Sequence, residues 1–127
     1  MKAKVILSLA VILVIAAALV WKTKKNEPKP ETALSSTQQA GVMMTTSGFE
    51  PAELKIKNGT TVTFLNQDSK PRWPASAPHP THTDYPEFDP KQALTSGQSW
   101  SFTFEEAGEW RYHDHLNPTV KGTITVE

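Results

Sequence analysis

The chain has 127 residues, 13 basic and 13 acidic side chains and no cysteine, a length that favours a single domain. The missing thiols exclude disulfides, thiolate-ligated zinc or iron–sulfur sites, thiol nucleophiles and the thiolate of a blue-copper centre. The zero net charge averages two unlike parts. Residues 1–30 carry six lysines and one acid, whereas residues 41–127 carry seven basic and eleven acidic side chains, which provides no basic face for nucleic acid.

After Met1-Lys2-Ala3-Lys4 come seventeen residues, Val5 to Trp21, in which Ser8 is the only polar side chain. As a helix this run spans about 25 Å, slightly short of the roughly 30 Å hydrocarbon core of a bilayer. Trp21 suits the interface, and Lys22, Lys24 and Lys25 can snorkel from it. A cleaved signal peptide shares the basic start and the apolar run. However, Ala16-Ala17-Ala18 is followed by Leu19-Val20-Trp21 and lysines, a poor cleavage site. An N-terminal transmembrane helix over residues 1–21 is therefore the favoured expectation, with the rest of the chain outside the cytoplasm, periplasmic or at the cell surface. Residues 22–40 are polar, contain prolines and lack the apolar surface needed to order themselves. They read as a flexible linker.

From Gly41 to the end the period is two, and residues 41–127 read as one all-β domain. Leu54 and Ile56 alternate with Lys55 and Lys57, and Asn58-Gly59 marks a tight turn. Val62 and Phe64 follow, then Trp100, Phe102 and Phe104 on one parity. A turn at Ala107-Gly108 leads to Trp110 and Tyr112, and Val120 to Val126 forms the last strand. Short strands with regularly spaced turns indicate an antiparallel β-sandwich. Between Ser69 and Gln98 the pattern stops: six prolines fall there, with Trp73, His79, His82, Tyr85 and Phe88. A structureless connection of that length is uncommon, so the aromatic groups and prolines of the 70–98 loop point to an ordered lid. Met43 and Met44 are adjacent in a strand, so one faces inward, and core packing accounts for it better than metal ligation.

All four histidines come in pairs, His79-Pro80-Thr81-His82 and His113-Asp114-His115. Histidine is the commonest metal ligand near neutral pH. Residues two apart in a strand share a face, so His113 and His115 can bind one ion. If Trp110 and Tyr112 are core, that pair points away from it, and the 70–98 loop with His79 and His82 is the natural cover. Four imidazoles on one ion suit copper or zinc. Asp114, Asp84, Glu87 and Asp89 can each add an oxygen, although solvation or turn capping accounts better for the last three. Trp73 can face a metal by cation–π contact, with packing on the loop prolines as the plainer role.

Val42 to Asp68, including Gly48-Phe49-Glu50-Pro51 and Leu54-Lys55-Ile56-Lys57-Asn58-Gly59, resembles the opening of plastocyanin-type cupredoxins. Phe102 to His113 and Pro118 to Val126 resemble their closing strands. The resemblance implies a Greek-key sandwich with a copper site at one end. It also implies that all four blue-copper ligand positions are changed, to Arg72, Asp114, Asn117 and Val120. Tyr112-His113-Asp114-His115 in turn resembles the Tyr-His-x-His strand of multicopper oxidases, whose His pair faces outward to copper. Here either the chain's own loop or another subunit completes the site.

The leading expectation is a membrane-anchored, extracytoplasmic copper-binding module with an all-His, type 2-like site at His79, His82, His113 and His115, for sequestration or delivery to a copper-accepting protein partner. Its rivals are a redox protein (an electron carrier with a redox partner, or a small type 2 copper oxidoreductase) and a sandwich that has lost its metal and serves as an interaction module. No nucleophile-elbow or oxyanion motif supports hydrolysis.

Overall fold

Strands that alternate apolar and polar side chains have one face to bury, and two such sheets stacked face to face satisfy each other. The structure, a computed structural model, describes residues 38–127. The expected N-terminal helix, and the expected linker up to residue 37, lie outside the described residues. Eight strands follow in chain order: β1 (Gln39–Thr45), β2 (Gly48–Glu50), β3 (Glu53–Ile56), β4 (Thr60–Asn66), β5 (Pro74–Ser76), β6 (Ser99–Phe104), β7 (Gly108–Asp114) and β8 (Asn117–Val126). One sheet has the order β2-β1-β4-β6 and the other β3-β8-β7-β5. Among the described residues there is no helix, and none long and apolar enough to cross a membrane.

The all-β sandwich is as the sequence indicates, but its sheets are mixed rather than purely antiparallel. β1 pairs with β4, and β3 with β8, in parallel, while the remaining pairings are antiparallel. Side chains alternate with period two in both kinds of ladder, so the pattern of apolar residues cannot tell them apart. Connectivity decides. The Asn58-Gly59 turn, with Gly59 at φ +85° and Thr60 N–H donating to the Lys57 carbonyl (3.1 Å), carries the chain from one sheet to the other. A hairpin would have kept it in the same sheet.

Val42, Met44, Val62, Phe64, Phe104, Tyr112 and Ile124 form the centre of the core. Met44 is buried and its neighbour Met43 is 46% exposed, as adjacency in a strand requires. The 70–98 loop is ordered and contributes to this core. Phe88 is fully buried and stacks on Phe102, with centroids 5.5 Å apart, while Tyr85 meets Trp110 edge-on at 4.7 Å. The loop is also not free of regular structure, because Pro74–Ser76 pairs with β7 as edge strand β5. Proline is tolerated there because it opens an edge strand. Arg72 and Leu94 exchange backbone hydrogen bonds (2.9 and 2.7 Å) and close the loop's base. Buried Asn66 holds that base by donating to the carbonyls of Lys70 and Leu94, both at 2.9 Å.

Candidate metal centre

Strand β7 sorts its side chains by parity. Tyr112 enters the core against Phe49 (4.5 Å between centroids), and its phenol lies over Gly122, its cross-strand partner. A Cβ at Gly122 would come within 2.4–2.6 Å of that ring, so only glycine fits there. His113 takes the opposite face, opposite Ala75 of β5, whose small side chain leaves room for the imidazole. The register shifts between His113 and Asp114. His115 then lies just past the strand end, its N–H donating to the Trp73 carbonyl (2.7 Å).

The loop brings the second pair. His82 N–H donates to the Pro78 carbonyl (2.8 Å), closing a turn that contains His79, and His82 has φ +55°, the left-handed region uncommon for side chains other than glycine. His79 Nδ1 then lies 3.2 Å from His113 Nε2, and His82 Nε2 lies 3.0 Å from His115 Nδ1. One nitrogen from each of the four rings lies within 4.8 Å of the other three, a group able to hold a metal ion.

The arrangement has a definite shape. Neighbouring ring centroids run His79–His113 5.1 Å, His113–His82 5.1 Å, His82–His115 4.8 Å and His115–His79 4.9 Å. The diagonals are His79–His82 6.5 Å and His113–His115 6.4 Å. A flat square with these edges would have diagonals of about 7 Å, and a regular tetrahedron would have diagonals equal to its edges, so the ring centroids form a folded square, nearer to the square than to the tetrahedron. Loop and strand histidines alternate around it. Metal–nitrogen bonds of about 2.0–2.1 Å would set neighbouring nitrogens about 2.9 Å apart and opposite ones about 4.1 Å apart in a square. The two neighbouring contacts, 3.2 and 3.0 Å, are slightly longer than that.

Electrostatics favour the neutral ligand form. Burial, and then the neighbouring His82, His79 and His115, push the His113 imidazolium down to about 4. His115 is lowered too, by burial and by His82 and His79. In each close pair a single proton can make the contact attractive, whereas a central cation would satisfy all four lone pairs at once.

Asp89 is the residue whose role the sequence left as solvation or capping. Its Oδ2 accepts from His82 Nδ1 (2.8 Å), which makes Nδ1 the protonated nitrogen and leaves Nε2 facing the cluster. Its Oδ1 accepts from Trp73 Nε1 (2.8 Å) and Lys91 N–H (2.7 Å). Burial alone would raise this carboxyl, but the donors Trp73, His82 and Lys91 bring it below its ordinary value. Its spacing, seven residues beyond His82 in a proline-rich loop, carried no periodic signal. Trp73 stands against His115, with ring centroids 4.5 Å apart, so it walls the cluster. Asp84 and Glu87 are exposed and do not join it.

Nor does the structure bring Asp114 to the quartet. It faces the other side, 1% exposed, with both oxygens engaged. Oδ1 accepts from the backbone of Trp73 and Leu116, each at 3.0 Å, and Oδ2 from Arg72 Nη1 at 2.9 Å. Arg72 also donates to Asp68 through Nε (3.1 Å) and Nη2. The guanidinium holds the Asp68 carboxyl below the usual range, and Asp114, against the cost of burial, raises the Arg72 guanidinium further. Two of the positions singled out by resemblance, Arg72 and Asp114, thus form a buried ion pair with each other.

The family model for the cupredoxin-like domain matches residues 10–126. The chain is 34% identical over 92 residues, which cover 62% of it, to a plastocyanin from Scenedesmus fuscus, 86% of which is matched. A purple cupredoxin from Nitrosopumilus maritimus superposes with a TM-score of 0.61 at 26% identity, covering 69% of this chain and 99% of that one. A reduced Cu(I) form of an amicyanin variant superposes with a TM-score of 0.58 at 25% identity, covering 70% and 82% of the two chains.

Proposed function

We propose a copper-binding function on the premise that this chain belongs to the family of cupredoxin-like domains. His79, His82, His113 and His115 hold the ion in an all-nitrogen, type 2 site, and the protein binds, sequesters or delivers copper outside the cytoplasm from an anchor at residues 1–21. The observation that carries this reading is the near-square quartet of rings. Cu(II) prefers tetragonal nitrogen sites, whereas zinc prefers a tetrahedron.

Bound copper supplies a one-electron couple and a Lewis acid. The chain's own residues do the rest. Asp89 fixes the His82 tautomer, Trp73 shields one side of His115, and the β5–β7 pairing sets His113 at a rigid strand position. The lowered basicity of His113 and His115 keeps protons from competing for these nitrogens at neutral pH. A second reading, a redox protein exchanging electrons with a partner, is favoured by one feature: the quartet opens outward, with His79 exposed, His115 half-buried and Leu116 beside it 49% exposed.

Metal analysis and electron paramagnetic resonance of the protein purified from its native envelope test the assignment. One copper per chain with pale colour and nitrogen hyperfine structure is expected. Stoichiometric zinc, or an intense thiolate-to-copper absorption band, would overturn it. Recovery of the full chain in alkali-washed membranes tests the anchor.

A further inference from the structure

Beside the quartet, on the outer face of the β3-β8-β7-β5 sheet, lies a groove of ≈ 590 Å³. Strand register shows how its floor is built. Lys121 of β8 sits directly opposite His113 of β7, and Thr123 opposite Arg111, one pleat further on. All four side chains share the face away from the core, because Tyr112 and Trp110 take the alternate positions. Pro78 and His79 rise from the loop as one wall. Two of the four quartet histidines, His79 and His113, therefore line this groove as well as the metal centre.

The charge pattern of the groove is uneven. Arg111 and Lys121 are exposed and take part in no ion pair among the described residues. Glu53 is the single acid on the lining and lies on β3, two strands away from Arg111, roughly 9–10 Å off at the usual strand spacing. Ala77, Pro78 and Pro118 give the lining an apolar portion. With a divalent ion in the quartet, the groove has one positive centre at its histidine end, a second at Arg111 about two residues along the strand, Lys121 alongside, and an apolar surface to one side.

We propose that this groove is the binding site for a small dicarboxylate, two anionic ends joined by a short hydrocarbon spacer, lying between Arg111, Lys121 and the His79–His113 edge of the metal centre. This rests on the copper-binding reading above. Two separated positive centres match two carboxylates better than one compact anion, and the apolar lining suits methylene groups. Guanidinium and ammonium donors that are not already paired offer charge-assisted hydrogen bonds without breaking an existing one. Copper at this site would then be bound together with an organic anion, and its release would depend on that anion.

The test uses the full chain loaded with one copper, with stoichiometry measured before any anion is added. Succinate is titrated calorimetrically and by electron paramagnetic resonance at constant ionic strength, with uncharged succinamide in parallel. Succinate is expected to bind saturably and to change the copper hyperfine pattern, and succinamide to do neither. Arg111→Ala and Lys121→Ala, both at exposed positions, should each weaken succinate binding about tenfold while copper stoichiometry stays at one. Equal behaviour of succinate and succinamide, or undiminished binding in both variants, would overturn the proposal and leave the copper reading intact. Failure to load copper at all would overturn the copper reading first, and it would show before the anion is introduced.

Discussion

His113 and Asp114 are adjacent residues at the end of one strand, yet they belong to opposite kinds of environment. On one side, four neutral imidazoles meet in two single hydrogen bonds and converge one nitrogen each on a common centre. On the other, a guanidinium is bracketed by two carboxylates, and backbone donors fill the remaining positions on Asp114. The ionic side is closed, and nothing there needs a ligand. The imidazole side is open, and a cation can be held there. The difference teaches that polar clustering alone does not mark a metal site. What marks a candidate is whether neutral donor atoms converge on one centre, as the imidazoles do, or opposite charges already pair, as Arg72 and its carboxylates do.

Breaking the open side should have the largest effect. His113→Ala with His115→Ala removes two opposite corners of the square, and stoichiometric copper binding should be lost while the fold survives, as judged by circular dichroism and metal analysis. Retained affinity would place the site elsewhere. Breaking the closed side should act on stability instead. Asp114→Ala leaves Arg72 with Asp68 as its one ion-pair partner and frees two backbone donors, at a cost of about 1–3 kcal/mol, read as a lower denaturant midpoint in the metal-free protein. A midpoint unchanged within error would mean the ion pair is not the lock described.

The comparison is sharpened by a residue that touches the quartet without joining it. Asp89→Ala should weaken copper affinity about 10- to 100-fold, the usual range for a carboxylate behind a ligating histidine, with little change in hyperfine splitting. An affinity equal to wild type would count against its role in holding the His82 tautomer. The smallest effect is that of acid on the metal-free chain. The folded-state value of His113 lies at about 4, below its ordinary 6.5. The unfolded chain therefore binds the proton first, and stability from this group is complete above about 6.5 and is lost as pH falls towards about 4. Thermal melts should show roughly 1–2 kcal/mol of this loss by pH 5, and His113→Gln should flatten that part of the profile.

Much of this was legible in the sequence, and what was not has a physical reason. Period-two runs exposed the sandwich and the core parity of Trp110 and Tyr112. The same parity argument placed His113 away from the core and required the 70–98 loop to cover it, and His79 does so. Strand polarity was not legible, because parallel and antiparallel ladders use the same alternation. β5 was hidden because its three residues begin at a proline and run within the loop. Asp89 gave no signal, since its partnership with His82 depends on how a proline-rich segment folds back. Asp114 shows the limit of resemblance: the position could be matched, but only the approach of Arg72 reveals that its oxygens are already spoken for.

The buried Arg72 pairing has one more consequence. Asp68 and Asp114 together carry two negative charges against one positive charge, and Asp89 adds another carboxylate behind His82. Fixed charge in a poorly polarisable interior is weakly screened. Such a surplus stabilises the more positive state of anything held by the neighbouring imidazoles, so a bound copper would give up an electron more readily than in a neutral frame. An ion held at the strand end that lacks a thiolate would therefore feel, through carboxylates that never touch it, a bias toward the oxidised state.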